Sequence, residues 1–224
     1  MTSYPSAWLQ GLSRGDAIAC ELRLQIVGGA LRRGDVISEN KIASDFGTSR
    51  SPVREALKAL SAEGLLRLER MGAVVLGLSA QEVGELYDVR YLIESFAQQR
   101  LAAARPPELV PSLRHLADRM RVAAKHGDTA EFARLDFQFH DSLIAAAGHG
   151  RIAQLWGSIR QVVLVVMLLT TEQVFEGGAE RLEQVIAKHE TIADALASGD
   201  GTRIGQVVRE YFADSRLTLD YTLP

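Results

Sequence analysis

The sequence predicts a mainly α protein in two parts: three short helices with a β-hairpin, then an all-α antiparallel helical bundle. Three observations carry that fold class. Apolar residues repeat at helical spacing through almost the whole chain, with glycines or Asp and Ser caps where helix ends fall. Two adjacent strand-like segments, residues 65–69 and 73–78, follow the third helix, and no strand pattern occurs after Ser79. The length of 224 residues leaves room for two modest domains, expected over residues 12–79 and 80–219.

The elements follow in order. Ile18, Leu22 and Ile26 share one helical face and predict a first helix over residues 17–28. Residues 39–45 form a short second helix closed by Gly47, and residues 51–63 a third, with Pro52 in its first turn and Gly64 past its end. The hairpin turns at Arg70-Met71-Gly72, which makes the first part a winged-helix pattern. Ser79-Ala80-Gln81-Glu82 is a capping box that opens a long helix ending before Pro106-Pro107. Further helices are expected over residues 108–126, 129–147, 151–175, 179–198 and 202–219, separated by short glycine-bearing breaks. Helices joined so briefly pack as antiparallel neighbours.

Composition excludes several classes. Hydrophobic residues at 47% and charged residues at 24% are those of a globular protein, not a disordered chain. The single cysteine, Cys20, leaves no intramolecular disulfide and no multi-cysteine zinc site, as expected for a reducing cytoplasm. The N-terminus lacks the charged stretch and apolar core of a signal peptide. The longest apolar run, from Val162 to Leu169, is eight residues, short of the ~20 that cross a bilayer, so no membrane partner is expected. The net charge of −3 argues against nucleic acid until it is divided. Up to Ser79 there are ten Lys and Arg against eight Asp and Glu, net +2, and beyond it fifteen against twenty, net −5.

The run Gly47-Thr-Ser-Arg-Ser-Pro-Val-Arg-Glu-Ala-Leu-Lys-Ala-Leu60 is the informative part of the first domain. Val53, Ala56, Leu57 and Leu60 take the core face of the third helix, which leaves Arg50 and Arg54 exposed near its N-terminus. Arginine there is suited to bidentate contact with guanine O6 and N7 in a major groove. The competing reading is a solvated face on which Arg50, Arg54 and Lys58 pair with Glu55. Arg70 and Gly72 at the hairpin tip are placed to approach a minor groove.

These residues resemble a known family. Leu31-Arg-Arg-Gly-Asp-Val-Ile-Ser-Glu39, Ile42-Ala43, Phe46-Gly47, Ser49-Arg-Ser-Pro-Val-Arg-Glu-Ala-Leu57 and Glu63-Gly-Leu65 are similar to the winged helix-turn-helix of GntR-type bacterial transcription regulators, from about Leu12 to Leu78. The resemblance implies operator contacts by Ser49, Arg50 and Arg54, with Ser51 beside them, and further contacts by Asn40, Lys41 and the wing. Thr48 stands where the family usually carries an apolar residue.

The second part places ionisable groups among apolar ones. Asp136 and His140, four apart, edge the stripe Phe132, Phe139 and Leu143. His189 falls within the stripe Leu182, Val185, Ile186, Ala193 and Leu196, and Tyr211 within Ile204, Val207, Val208 and Leu219. Such groups need hydrogen-bond partners in the core or a divalent metal, for which His nitrogen and Asp oxygen are suitable donors. Arg90 faces inward beside Leu86, Ile93 and Ala97, and Arg160 beside Trp156, Leu164 and Met167. Each requires an anion, either a protein carboxylate such as Glu94 or a bound one.

Leu86-Tyr-Asp-Val-Arg90 with Glu94, Asp136-Phe-Gln-Phe-His140 and His189-Glu-Thr-Ile-Ala-Asp-Ala-Leu196 resemble the FCD-type ligand domain of the FadR-like GntR subclass, in its shorter six-helix form, from about Glu82 to Ser215. Metal-binding members hold Zn, Ni or Mn through one Asp and three His, so the resemblance implies Asp136, His140 and His189 as ligands and Tyr211 in place of the third His. It also implies an organic-acid effector bound through the metal and Arg90, with Tyr211 and Arg160 as further effector candidates. The expected protein is therefore a cytoplasmic, homodimeric, effector-controlled regulator of a pseudo-palindromic duplex operator, not an enzyme. Two other readings stay open: a metal-free regulator of a larger acyl-type ligand, and a metal-dependent hydrolase, for which no convincing general acid or base is present.

Overall fold

The computed structural model describes residues 4–70 and 72–219, with side chains described to residue 216. Its contacts divide the chain into two units that meet between Ser79 and Ala80.

The first unit opens with a 3-10 turn, Ser6–Leu9, followed by α1 (Arg14–Val27), β1 (Val36–Ser38), α2 (Glu39–Asp45), α3 (Arg50–Ala62), β2 (Leu66–Glu69) and β3 (Gly72–Val75). The Ser13 hydroxyl caps α1 by accepting from the Asp16 amide, and Ser38 caps α2 by accepting from Lys41. The strongly two-faced α3 buries Val53, Ala56, Leu57 and Leu60, the four positions its periodicity picks out. They meet Ile18, Leu22 and Ile26 of α1 in one core.

The wing has three strands rather than two. β3 pairs antiparallel with both β2 and β1, in the order β1-β3-β2. Three residues are too few for a period-2 pattern to show, so β1 exists because β3 offers it an edge. Gly72 faces Ser38 on one side and Glu69 on the other, and a Cβ there would overlap the Ile37 carbonyl. It is buried, so its role is close strand approach and not an exposed tip. Met71, at the expected turn, lies outside the described residues.

The second unit is all-helical among the described residues: α4 (Ala80–Ala104), α5 (Leu109–His126), α6 (Thr129–Ala146), α7 (Gly150–Glu176), α8 (Gly178–Ser198) and α9 (Gly201–Leu219). Observed ends lie within two residues of the expected ones, because caps and glycines mark them. The Asp128 carboxylate caps α6, His149 caps α7, and Gly127 and Gly199 close α5 and α8 in the left-handed conformation. Helix α4 packs on α6 and α9, and α5 on α6 and α8. By length and hydropathy α7 is a candidate membrane span, yet it buries Val162, Val163, Val165, Val166, Met167 and Leu168. Its apolar character belongs to the bundle core.

Candidate functional site

Helices α4, α6, α8 and α9 each send polar side chains to one place in the second unit. Arg90, Glu94, His140 and His189 are at most 1% exposed, and Asp136 and Tyr211 each 9%. The Phe139 and His189 rings are nearly perpendicular with centroids 4.7 Å apart, and the two imidazole centroids lie 5.3 Å apart.

The hydrogen bonds fix the tautomers. His140 Nδ1 is 2.5 Å from Glu94 Oε2, a carboxylate that can only accept, so Nδ1 carries a proton. The Nε2 lone pair then faces the Tyr211 hydroxyl at 2.7 Å, which donates to it. His189 Nδ1 donates to the Val185 carbonyl at 2.8 Å, which leaves its Nε2 facing Asp136 Oδ1 at 2.9 Å. A metal ion coordinated by Asp136 and His189 Nε2 would suit that arrangement.

Electrostatics keep the two carboxylates ionised and the phenol neutral. Burial pushes the Asp136 carboxyl up, but His189 and His140 outweigh it and hold it below the usual carboxylate range. Burial also acts against Glu94, and Arg90 and His140 bring it down to about 2. For His140, burial favours the neutral ring while Glu94 raises its pKa above the ordinary value. Burial drives the Tyr211 phenol well above 10, so it is a neutral donor.

A metal fits this donor set. One atom each from Asp136, His140 and His189 lies within 4.8 Å of the others, and His140 Nε2 is 3.5 Å from Asp136 Oδ1. Both imidazoles present Nε2 while their Nδ1 protons are held by Glu94 and a carbonyl, the outer support that orients metal-binding histidines. Tyr211 stands beside the three candidate ligands, and its hydroxyl occupies the His140 Nε2 position that a metal would take over.

Arg90 connects this cluster to a pocket. Its Nε donates to Glu94 Oε1 at 2.5 Å, and its guanidinium lies over the Tyr87 and Phe212 rings at 5.2 and 5.3 Å. Its Nη2 is buried and has no hydrogen-bond partner among the described residues. Arg90, Asp136 and Tyr211 line a cavity of about 60 Å³, with Phe132, Met167 and Lys188 among the other walls. Lys188 pairs with Asp214, and burial lowers its ammonium to about 8.

Sequence reasoning missed parts of this site. Glu94 was expected only as an Arg90 partner, and its bond to His140 joins residues 46 apart. Lys188 carried no signal beyond its place before His189. Arg160 is not brought to the site. It is 35% exposed, pairs with Asp141 at 3.0 Å and lies 5.4 Å from the Phe137 ring centroid. Helical phase places its Cα near Trp156, but the long side chain reaches out along the surface to a carboxylate.

In the first unit, Asn40, Lys41, Ser49, Arg50, Ser51, Arg54 and Arg70 are all exposed, whereas Gly72 is buried. Arg50 and Arg54 are paired with Glu39, not Glu55.

A winged helix that exposes arginines at the start of its third helix, joined to an all-helical domain, defines the class of DNA-binding transcription regulators. The comparisons with known proteins carry this further. Residues 14–76 match the model for bacterial regulatory proteins of the gntR family, and residues 85–214 match the FCD domain. The chain belongs to the GntR family of bacterial transcription regulators and carries an FCD domain. It is 38% identical to the gluconate operon transcriptional repressors of Bacillus licheniformis and Bacillus subtilis, over 94% of this chain and 87% of each relative. Among solved structures it resembles a GntR transcriptional regulator from Rhodococcus sp. RHA1, with 26% identity, a TM-score of 0.65 and coverage of 93% and 98%. Escherichia coli McbR/YncC shares the fold at 21% identity, with a TM-score of 0.71 and coverage of 93% and 98%. These families and relatives are regulators, not enzymes, and the hydrolase reading is set aside.

Proposed function

We propose that the chain is a cytoplasmic, homodimeric repressor that leaves its operator when a small sugar acid enters the pocket beside Arg90. The observation that carries this is the buried Arg90 Nη2, which has no hydrogen-bond partner among the described residues, on a side chain that lines that pocket. A buried guanidinium edge without an acceptor is costly, and a carboxylate satisfies it with charge-assisted hydrogen bonds. Arg90 would bind and orient the acid, and the neutral Tyr211 phenol would be freed to donate to it once a metal takes the His140 Nε2 lone pair. Phe132 and Met167 give the pocket an apolar wall. Asp136, His140 and His189 would hold a divalent ion (Zn, Ni or Mn), and that ion supplies open positions for carboxylate and hydroxyl oxygens.

The cavity of about 60 Å³ has room for a few water-sized groups, so it would take the carboxylate end of an acid beside Arg90 rather than a whole acyl chain. The gluconate operon repressors support gluconate as the first acid to test.

In this reading residues 12–79 are the DNA-binding domain and residues 80–219 the effector and dimerisation domain. Ser49, Arg50, Ser51 and Arg54 of the α3 region meet a major groove, Asn40 and Lys41 add contacts from α2, and Arg70 adds one from the wing. Two heads then read a pseudo-palindrome. Val89, Leu92 and Phe96 are exposed on one face of α4, with Leu155 exposed on α7, an apolar surface suited to a two-fold contact. Control requires the acid to bind the DNA-competent and DNA-free states unequally.

The test is calorimetric titration with gluconate and a panel of organic acids, with and without chelator, alongside gel shifts on the promoter of its own gene. We expect gluconate to bind and release DNA, chelation to weaken binding, and Arg90→Ala to lose at least tenfold in affinity. Unchanged affinity in Arg90→Ala would remove the carboxylate contact, and full binding in metal-free protein would remove the metal from recognition.

A further inference from the structure

The two arginines of α3 rest on one carboxylate. Glu39, in the first turn of α2, accepts from Arg50 Nη2 at 2.9 Å and Nε at 3.1 Å. It also accepts from Arg54 Nε, at 3.1 Å to Oε1 and 3.0 Å to Oε2. The Glu39 side chain is 12% exposed, whereas those of Arg50 and Arg54 are 43% and 55% exposed. The acid is therefore set into the surface beneath two cations that reach outward. Hydrogen bonding from Arg50, and then from Arg54, lowers the Glu39 carboxyl.

The two arginines are not held alike. Arg50 gives Nε and one Nη to Glu39. Arg54 gives only Nε, and its Nη groups make no hydrogen bond among the described residues. A guanidinium has a fixed planar set of donors, so holding Nε leaves the Nη1/Nη2 edge for another bidentate acceptor. Guanine O6 and N7 form such an acceptor.

We propose that Glu39 is a specificity-determining positioning residue: it holds Arg54 by Nε for base reading and withholds both arginines from the DNA backbone. This rests on the reading of α3 as the base-contacting helix. A base contact through the Nη edge keeps the Glu39 bond, so it costs little. A phosphate contact draws the arginine away from Glu39 and brings a second anion toward a fixed carboxylate. Glu39 therefore penalises non-specific binding more than operator binding, without touching a base itself.

The test uses full-length protein, an operator enriched from a random duplex library by the wild type, and a scrambled duplex of equal length. Anisotropy titrations over a salt series give affinity and counterion slope for wild type, Glu39→Gln, Glu39→Asp and Arg54→Ala. Melting temperatures establish that each variant is folded. For Glu39→Gln we expect the operator-to-scrambled ratio to fall about tenfold, with tighter scrambled binding and a salt slope steeper by about one phosphate contact. Glu39→Asp recovers part of the ratio because the charge remains. An unchanged ratio and slope in Glu39→Gln, with operator binding lost in Arg54→Ala, overturns the role of Glu39 and leaves the base-reading helix standing. Full operator affinity in Arg54→Ala overturns both.

Discussion

The head and the bundle each pair arginine with glutamate, at opposite extremes of burial. The side chains of Arg90 and Glu94 are 2% and 0% exposed, while those of Arg50 and Arg54 reach into solvent above Glu39. Solvent screens the exposed cluster, so each of its bonds contributes little to stability, and the Nη edge of Arg54 stays open beside the Glu39 bond. The buried pair has no water to fall back on, and removal of one partner leaves a charge stranded. The same chemistry thus gives a solvent-screened surface cluster in one unit and a fixed frame in the other. Within that frame, and among the described residues, the Nη2 of Arg90 has no hydrogen-bond partner, which makes it the place where the proposed acid would be received.

The largest expected effect breaks the frame. Glu94→Ala leaves the Arg90 guanidinium and the His140 Nδ1 proton without their acceptor, and should cost about 3–5 kcal/mol in urea unfolding of metal-free protein. A loss comparable to that of an exposed pair would dissolve the contrast between the two units.

A smaller effect sharpens the contrast through pH. Glu94 is held down to about 2 in the folded protein, below its unfolded value. Its contribution to stability is present above the unfolded pKa of roughly 4.3 and lost as pH falls through the folded value. Glu94→Gln should flatten the acid limb of stability against pH between those values, measured by denaturant unfolding of metal-free protein. An unaltered acid limb would mean that Glu94 is not held ionised.

The smallest effect belongs to Arg160, whose pair with Asp141 is 35% and 34% exposed. Arg160→Ala should change stability by no more than about 1 kcal/mol and leave gluconate affinity unchanged. Weakened gluconate binding would return Arg160 to the effector site.

Much of this architecture was legible in the chain. Local signals such as Ser38, Asp128 and the closing glycines mark helix ends, and a 3.6-residue period needs no partner to be seen. The same periodicity put His140, His189 and Arg90 inside. It could not phase the end of a long side chain, which is why Arg160 was expected inward and lies along the surface. Strand β1 escaped because its pairing with β3 joins segments more than thirty residues apart.

The sequence by itself determined which residues are helical, which faces are apolar and which ionisable groups are forced among them. Tertiary structure alone decided their partners. Glu94 meets His140, Tyr211 occupies the position beside the His140 lone pair, and Glu39 rather than Glu55 takes the two arginines of the head. The physical reason is that amphipathic periodicity is a property of one helix. A hydrogen bond has a range of about 3 Å, and which side chains come within it is settled only when the helices pack.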